Sequence, residues 1–392
     1  MSNAVSGIDD DVDYDDPGLR DFQTRLGRLR AEKAVVRLRF GSKVQYTLLR
    51  HADVARGFRD EGYFSKAESM RRHTFPFMGP HLVGFDGQEH TVKRALVSPT
   101  FKRTMIPHYV EPLLRPVAEQ LVDEIRPDGE ADLMSTFAKK YPLRVITRLL
   151  GLPVQDEDTM TGWVKGMFGM QVDPEGARRA NAEFTDYIAP LIDERRARRG
   201  DDLFSAIVNE EVDGQRLDDE EIFGFLRLLF PAGVDTTWLT LGNVMYAVLK
   251  HPELHPLLLT NEEERQWAVE ETLRWEPTVG TDDHSVIKDV VVAGTKIPAG
   301  EEVRLAIASA NRDPLVFADP DRWNLARRPR NHLSFGLGRH FCLGAHLARA
   351  ELQTAIEVLL RRLPNLRLVD DPWISGSGLR GPKTLRITWD AA

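Results

Sequence analysis

The chain has 392 residues, 42% of them hydrophobic and 29% charged, the proportions of an ordinary folded protein rather than a disordered, collagenous or membrane-embedded one. Fifty-two basic against 60 acidic residues leave a formal charge of −8, a poor balance for wrapping nucleic acid. One cysteine excludes an internal disulfide and a multi-cysteine metal site, and makes a reducing, cytoplasmic compartment the expectation.

The opening run MSNAVSGIDDDVDYDDPG is acidic and lacks an apolar core, so it is read as a flexible leader over residues 1–17, not a targeting peptide. Residues 18–392 are expected to form a single domain. Leu19 to Lys33 has helical character, and Val35–Phe40 and Val44–Leu49 read as a hairpin about Gly41-Ser42-Lys43. His51 to Arg59 reads as a short helix. His73 to Gly87 holds Pro76, Pro80 and several aromatics in an expected functional loop.

From Glu89 to Arg199 helix follows helix, punctuated at Pro107, Arg126–Gly129, Gly151–Pro153 and Asp173-Pro174. A long helix is predicted from Asp218 to Lys250, its acidic first turn suiting the helix dipole. Pro231 and Gly233 predict a kink at its centre, and Thr236 is placed to bond back to the carbonyl of Ala232. Glu262 to Trp275 is a further helix. Strand signals follow at Val290–Ala293, Ile297–Gly300 and Val303–Ile307, then an irregular stretch from Asn311 to Asn331. A last helix spans Leu343 to Leu363, with closing strands at Leu366–Val369 and Thr384–Trp389. No run of 18 apolar residues occurs, so no membrane span is expected. The chain is mainly α with a minor β-sheet region.

The most informative segment is Phe335-Gly-Leu-Gly-Arg-His-Phe-Cys342-Leu-Gly344. Gly336 and Gly338 suit a tight loop whose N–H groups turn toward the sulfur. Cys342 precedes a helix, whose positive end is expected to lower the thiol's pKa and favour the metal-binding thiolate. On its own the residue reads first as a buried free cysteine, with a nucleophile as the further alternative, although the surrounding glycines provide no facing base.

This run resembles the haem-binding loop of the cytochrome P-450 family, the haem-thiolate monooxygenases, with the pattern Phe-Gly-x-Gly-x-(His/Arg)-x-Cys-x-Gly matched at every fixed position. The resemblance implies the cytochrome P-450 fold, a helical triangular prism around a buried haem b, with Cys342 as the axial iron ligand. It also assigns Phe335, Gly336, Arg339, His340 and Gly344 to the cofactor loop. Phe230-Pro-Ala-Gly-Val-Asp-Thr-Thr237 is similar to the family's (Ala/Gly)-Gly-x-(Asp/Glu)-Thr-Thr signature. Ala232 and Gly233 then lie over the haem, Thr236 orders a water beside dioxygen, the co-substrate, and Asp235 relays protons.

Glu271-Thr-Leu-Arg274 resembles the family's buried Glu-x-x-Arg pair, for which Arg327 is the expected third partner. His90 and Arg94, at i and i+4, match a His-x-x-x-Arg pair used for the haem propionates, with His340 as a further donor. The chain departs from the family about ten residues beyond Arg274. There the usual propionate-binding Arg is replaced by His284, whose charge depends on pH.

The family's activity is insertion of one oxygen atom into a C–H bond, so selectivity falls to the pocket walls. Phe75, Phe77, Met78 and Leu82 are expected from the early loop, and Phe168 and Met170 from the turn near Gly169. Leu228, Ala232 and Val234 are expected from the long helix, with Val279 and Ile374. Such walls suit a small hydrophobic guest, a terpenoid, steroid or aromatic compound.

No flavin or nicotinamide domain is legible, so electrons are expected from a separate ferredoxin, [2Fe-2S] in type, with an NAD(P)H-dependent reductase. Lys93, Lys102, Arg103, Arg339 and Arg349 are the candidate docking cations. A monomer without nucleic-acid or membrane partners is expected. Alternatives are a peroxide-driven enzyme on the same scaffold, a non-catalytic haem protein, and a cysteine enzyme without haem.

Overall fold

The two β-rich runs form a hairpin of strands Val35–Phe40 and Lys43–Leu48. It closes at Gly41, whose φ of +60° suits a residue without a β-carbon. The register sets Val35 opposite Leu48 and Phe40 opposite Lys43. The hairpin is one edge of a five-stranded sheet. Lys43–Leu48 pairs in parallel with Glu302–Leu305, which pairs antiparallel with Asp282–Val286, and that strand pairs with Phe64–Ser65. Distant parts of the chain meet here.

The computed structural model describes residues 12–153, 156–200 and 202–391. Of the expected leader, residues 1–11 lie outside this range, and residues 12–17 depart from the expectation. Tyr14 is only 1% exposed and its ring packs against Phe22 and Phe40. Its N–H donates to the carbonyl of Arg39, and the Asp13 carboxylate accepts from the N–H of Gly41. Acidic neighbours hid an aromatic anchor whose burial outweighs their preference for water.

The predicted helices form at Phe22–Glu32, His51–Arg59, Glu262–Trp275 and Ala345–Arg362. The early loop is partly helical, at Phe75–Met78 and in a 3₁₀ turn at Leu82–Gly84. Asp219–Leu249 is a single helix of 31 residues, about 46 Å long. Asp218 and Glu221 cap it reciprocally, each side chain accepting from the other's backbone N–H.

Helical hydrogen bonding continues through Pro231, so the expected distortion does not divide the helix. Pro231 removes one donor, but Phe230, Leu241, Val244, Met245 and Val248 bury the helix in the main core, and packing outweighs that loss. The helix lies against Lys140–Leu149, Ala345–Arg362 and Glu262–Trp275. Together these elements place its centre beside the Cys342 loop. Among the described residues no helix is long and apolar enough to cross a membrane.

Candidate active site

The Cys342 loop is built by its glycines. Gly336 and Gly338 have φ of +69° and +72°, conformations costly to residues with a β-carbon. The N–H of Cys342 donates to the carbonyl of Phe335 and that of Gly336 to Leu333, both at 2.9 Å. A β-carbon on Gly338 would lie 3.1 Å from the carbonyl oxygen of Phe58, whereas one on Gly344 would meet nothing within 4 Å. Gly344 borders a cavity and leaves room there.

Cys342 lies deep in the protein with its side chain accessible from that cavity. Burial pushes its thiol up. The Gly344 N–H, the guanidinium groups of Arg94 and Arg349, and the Ala345 N–H pull downward without cancelling it. The expected lowering by the helix terminus is therefore outweighed, and binding of a metal cation is what displaces such a proton.

Two adjoining spaces share walls at Val83, Thr236, Thr237, Phe335, His340 and Cys342. The first continues to Phe58, Phe64, Lys66, Asp282, His284 and Ile307. The second continues to His90, Arg94, Phe225, Leu228, Ala232 and Gly233.

Buried polar atoms on these walls match a ligand with anionic arms. His90 Nε2, His284 Nδ1 and His340 Nδ1 are buried without a protein partner, a costly state unless a ligand satisfies them. The His90 and His340 rings meet edge to face with centroids 4.6 Å apart. Burial, then the Arg94 and Arg339 charges, lowers His90 to about 4. Burial and the neighbouring His90 lower His340 to about 3, so both rings are neutral at pH 7. Arg94 donates to the carbonyls of Arg339 and Phe341 at 3.3 and 2.7 Å, leaving guanidinium donors for the cavity. The set fits haem b, with its flat ring and two carboxylates.

Arg339 departs from its expected cofactor role. Its guanidinium turns from the cavity to Glu61 at 3.0 Å and to the Gly87 carbonyl at 2.8 Å.

Thr236 lies on the shared wall, its hydroxyl donating to the Ala232 carbonyl at 2.5 Å. Asp235 lies behind, on neither wall. Burial raises its carboxyl to about 6, against the pull of Lys165 and Lys139. The acid is thus held between the cavity lining and two lysines, with a pKa suited to proton exchange near neutrality.

Glu271 and Arg274 are fully buried. Arg327 Nε reaches Glu271 Oε1 at 3.0 Å, and Arg274 also donates to the carbonyls of Asn311 and Pro320. The cluster ties the Glu262–Trp275 helix to the irregular stretch before the Cys342 loop.

Of the expected pocket residues, Leu82, Leu228, Ala232 and Val279 line the cavity. The others do not. Phe75 packs on His81 and Phe85, and Phe77 lies under Arg178. Met78, Phe168, Met170 and Val234 belong to or pack against the main core, and Ile374 pairs with Pro382. Periodicity identifies apolar faces but not which face meets a cavity. Phe225, Val83, Thr237 and Lys66 were missed for the same reason.

The docking cations also divide. Lys93 is 2.5 Å from Glu221 with its side chain 13% exposed, and Arg349 chelates Glu270 with its guanidinium over Phe335. Both are structural. Lys102 and Arg103 are exposed; burial, then the Arg349 and Arg103 charges, lowers the pKa of His346, in the first turn after the Cys342 loop.

The family model described as cytochrome P-450 matches residues 170–260 and 265–372. The monooxygenase PikC of Streptomyces venezuelae is 37% identical over 92% of this chain and 89% of its own length. The mycinamicin IV hydroxylase/epoxidase of Micromonospora griseorubida is 37% identical over 93% of this chain and 95% of its own. A solved cytochrome P-450 from Chondromyces apiculatus superposes with a TM-score of 0.88 at 32% identity, covering 97% of this chain and 98% of that one. The chain therefore belongs to the cytochrome P-450 family, as a monooxygenase that carries haem b and uses dioxygen as its co-substrate.

Proposed function

We propose that the protein hydroxylates a C–H bond of a medium-sized, mostly apolar guest, a terpenoid, steroid or aromatic compound, using electrons from a separate ferredoxin and its NAD(P)H-dependent reductase. One observation carries this reading. Leu82, Val83, Leu228 and Ala232 provide apolar wall around the same cavity that Cys342 borders. An apolar guest there is held beside the cofactor. Relatives named for mycinamicin IV and steroid oxidation and a structural neighbour solved with testosterone support bulky guests.

In this reading Cys342 ligates the iron, and His90, Arg94, His340 and His284 donate to the haem carboxylates. Haem b, when bound, supplies the activation of dioxygen. Thr236 holds a water on the cavity wall, Asp235 exchanges protons between that water and the Lys139 and Lys165 side, and Ala232 and Gly233 leave space beside the ring. Gly336 and Gly344 keep bulk away from the sulfur. Lys102 and Arg103 receive the acidic ferredoxin. A monomer suffices because one chain supplies every wall named, and the single cysteine suits the cytoplasm.

The test is a substrate-library titration of the holoenzyme, following the low-to-high-spin optical shift. Saturable shifts with apolar ring compounds, followed by hydroxylated product with ferredoxin and reductase, are expected. Shifts confined to small polar compounds would overturn the substrate class. Reduced holoenzyme under carbon monoxide lacking the long-wavelength band of thiolate ligation would overturn the Cys342 assignment.

A further inference from the structure

The family's usual propionate-binding Arg is absent from this chain, and the tertiary structure brings in another cation at the same place. Ser65 pairs with Ser285 in an antiparallel register, and Lys66, the next residue, opens the helix Lys66–His73 beside that strand. Lys66 Nζ binds Asp282 Oδ1 and donates to the Asp283 carbonyl at 3.2 Å. His284 Nε2 lies 3.2 Å from the other oxygen of the same carboxylate. Asp282 therefore clamps both groups, one on each oxygen.

Lys66, Asp282 and His284 all line the cavity that holds Cys342 and His340. The Lys66 side chain is 12% exposed and that of His284 4%. His284 Nδ1 is buried without a partner, and the ammonium has a third proton beyond the two contacts named. The ammonium thus keeps a spare donor on this stretch of wall, next to His284 Nδ1, which donates only in the doubly protonated ring, and beside a carboxylate already engaged on both oxygens. Despite burial, the Lys66 and His284 charges hold the Asp282 carboxyl well below the usual range. An additional anionic group is what these donors suit. His90, Arg94 and His340 form a second donor group on the cavity walls, and haem b carries two carboxylates.

We propose that Lys66, held beside His284 by the Asp282 carboxylate, is a cofactor-binding residue that offers its ammonium group to one haem carboxylate. His284 alone does not reproduce an arginine, whose planar fork presents several donors at once. A lysine at the start of the neighbouring helix adds the missing donors through its ammonium group. The inference rests on the haem reading, and a colourless wild-type protein would defeat that reading before this one.

The experiment compares wild type, Lys66→Met, Lys66→Arg and the double variant Lys66→Met/His284→Arg, each purified with haem. Haem loss is timed by transfer to excess apomyoglobin, and folding is checked by circular dichroism. Lys66→Met is expected to lose haem about tenfold faster, as for a lost hydrogen bond to a charged group. Lys66→Arg should stay near wild type, and His284→Arg should restore retention in the Lys66→Met background. That rescue separates a lost charge from a damaged fold. Unchanged haem loss in Lys66→Met, or accelerated loss that His284→Arg does not restore, would overturn the proposal. A second arm titrates a fatty acid and its methyl ester by the spin shift. If Lys66→Met weakens only the acid while haem loss stays at the wild-type rate, the lysine serves a substrate carboxylate and the proposal falls.

Discussion

Arg274 holds Glu271 in a fork, Nε to Oε2 and Nη2 to Oε1, both at 2.8 Å, and neither side chain has any solvent exposure. The same carboxylate accepts from the backbone N–H of Asn324 and from Arg327. Glu271 thus accepts from four donors, and the two from Asn324 and Arg327 fasten the helix to the irregular stretch before the Cys342 loop. Removing one member strands the others without water. Glu271→Ala is expected to cost about 3–5 kcal/mol, the range for a broken buried pair, with haem content falling alongside. Urea denaturation of the holoenzyme checks it, and a loss within about 1 kcal/mol, as for an exposed pair, would refute it.

The loop glycines should separate by their geometry. Gly338→Ala places a β-carbon at positive φ and 3.1 Å from a carbonyl oxygen, and is expected to cost about 1–2 kcal/mol. Gly344→Ala points into open space at an ordinary φ of −82°, and should stay within about 0.5 kcal/mol. Gly344→Phe should fold yet bind haem poorly. Denaturation midpoints and haem-to-protein ratios measure all three.

Thr236 and Asp235 give distinguishable defects. Thr236→Ala should keep the spin shift and lower product per NADH consumed by about tenfold or more, with the missing electrons recovered as hydrogen peroxide. A variant as productive as wild type with NADH would favour the peroxide-driven alternative.

The Asp235 carboxyl, raised to about 6, is about one-tenth protonated at pH 7. For an acid raised on folding, the folded state binds the extra proton between its unfolded and folded values. Stability therefore declines as pH rises from about 4 to about 6 and levels off above. Asp235→Asn should remove that slope from pH-dependent denaturation. It should also abolish the limb near pH 6 in the rate of coupled turnover.

Charge reversal at Lys102 and Arg103 should slow reduction by an acidic ferredoxin by about tenfold at low ionic strength and little at 0.5 M salt. Stopped-flow reduction under carbon monoxide measures this. Reversal of Lys93 should instead destabilise the fold, because its partner Glu221 caps the long helix. Equal kinetic effects at Lys93 and Lys102 would contradict this division.

The Cys342 loop, the Glu-x-x-Arg pair and the Asp235-Thr236 step were legible in the amino-acid sequence because each is local, with a few residue types at fixed spacing. Helix ends were legible for the same reason, as at Asp218, whose side chain caps only its own first turn. Tertiary structure decided everything that depends on which face of an element meets which neighbour. It turned Val234 into the core and Thr237 onto the cavity wall, and it buried Tyr14 from an acidic run. It also paired a polar strand, Asp282–Val286, that has no strand-like pattern of its own. Above all, pairing of Phe64–Ser65 with Asp282–Val286 brought Lys66 and His284, more than two hundred residues apart in the chain, onto one Asp282 carboxylate. Short-range spacing fixes the chemistry a segment carries; long-range pairing, stabilised by burial of surfaces that are not adjacent in sequence, fixes where that chemistry is brought to bear.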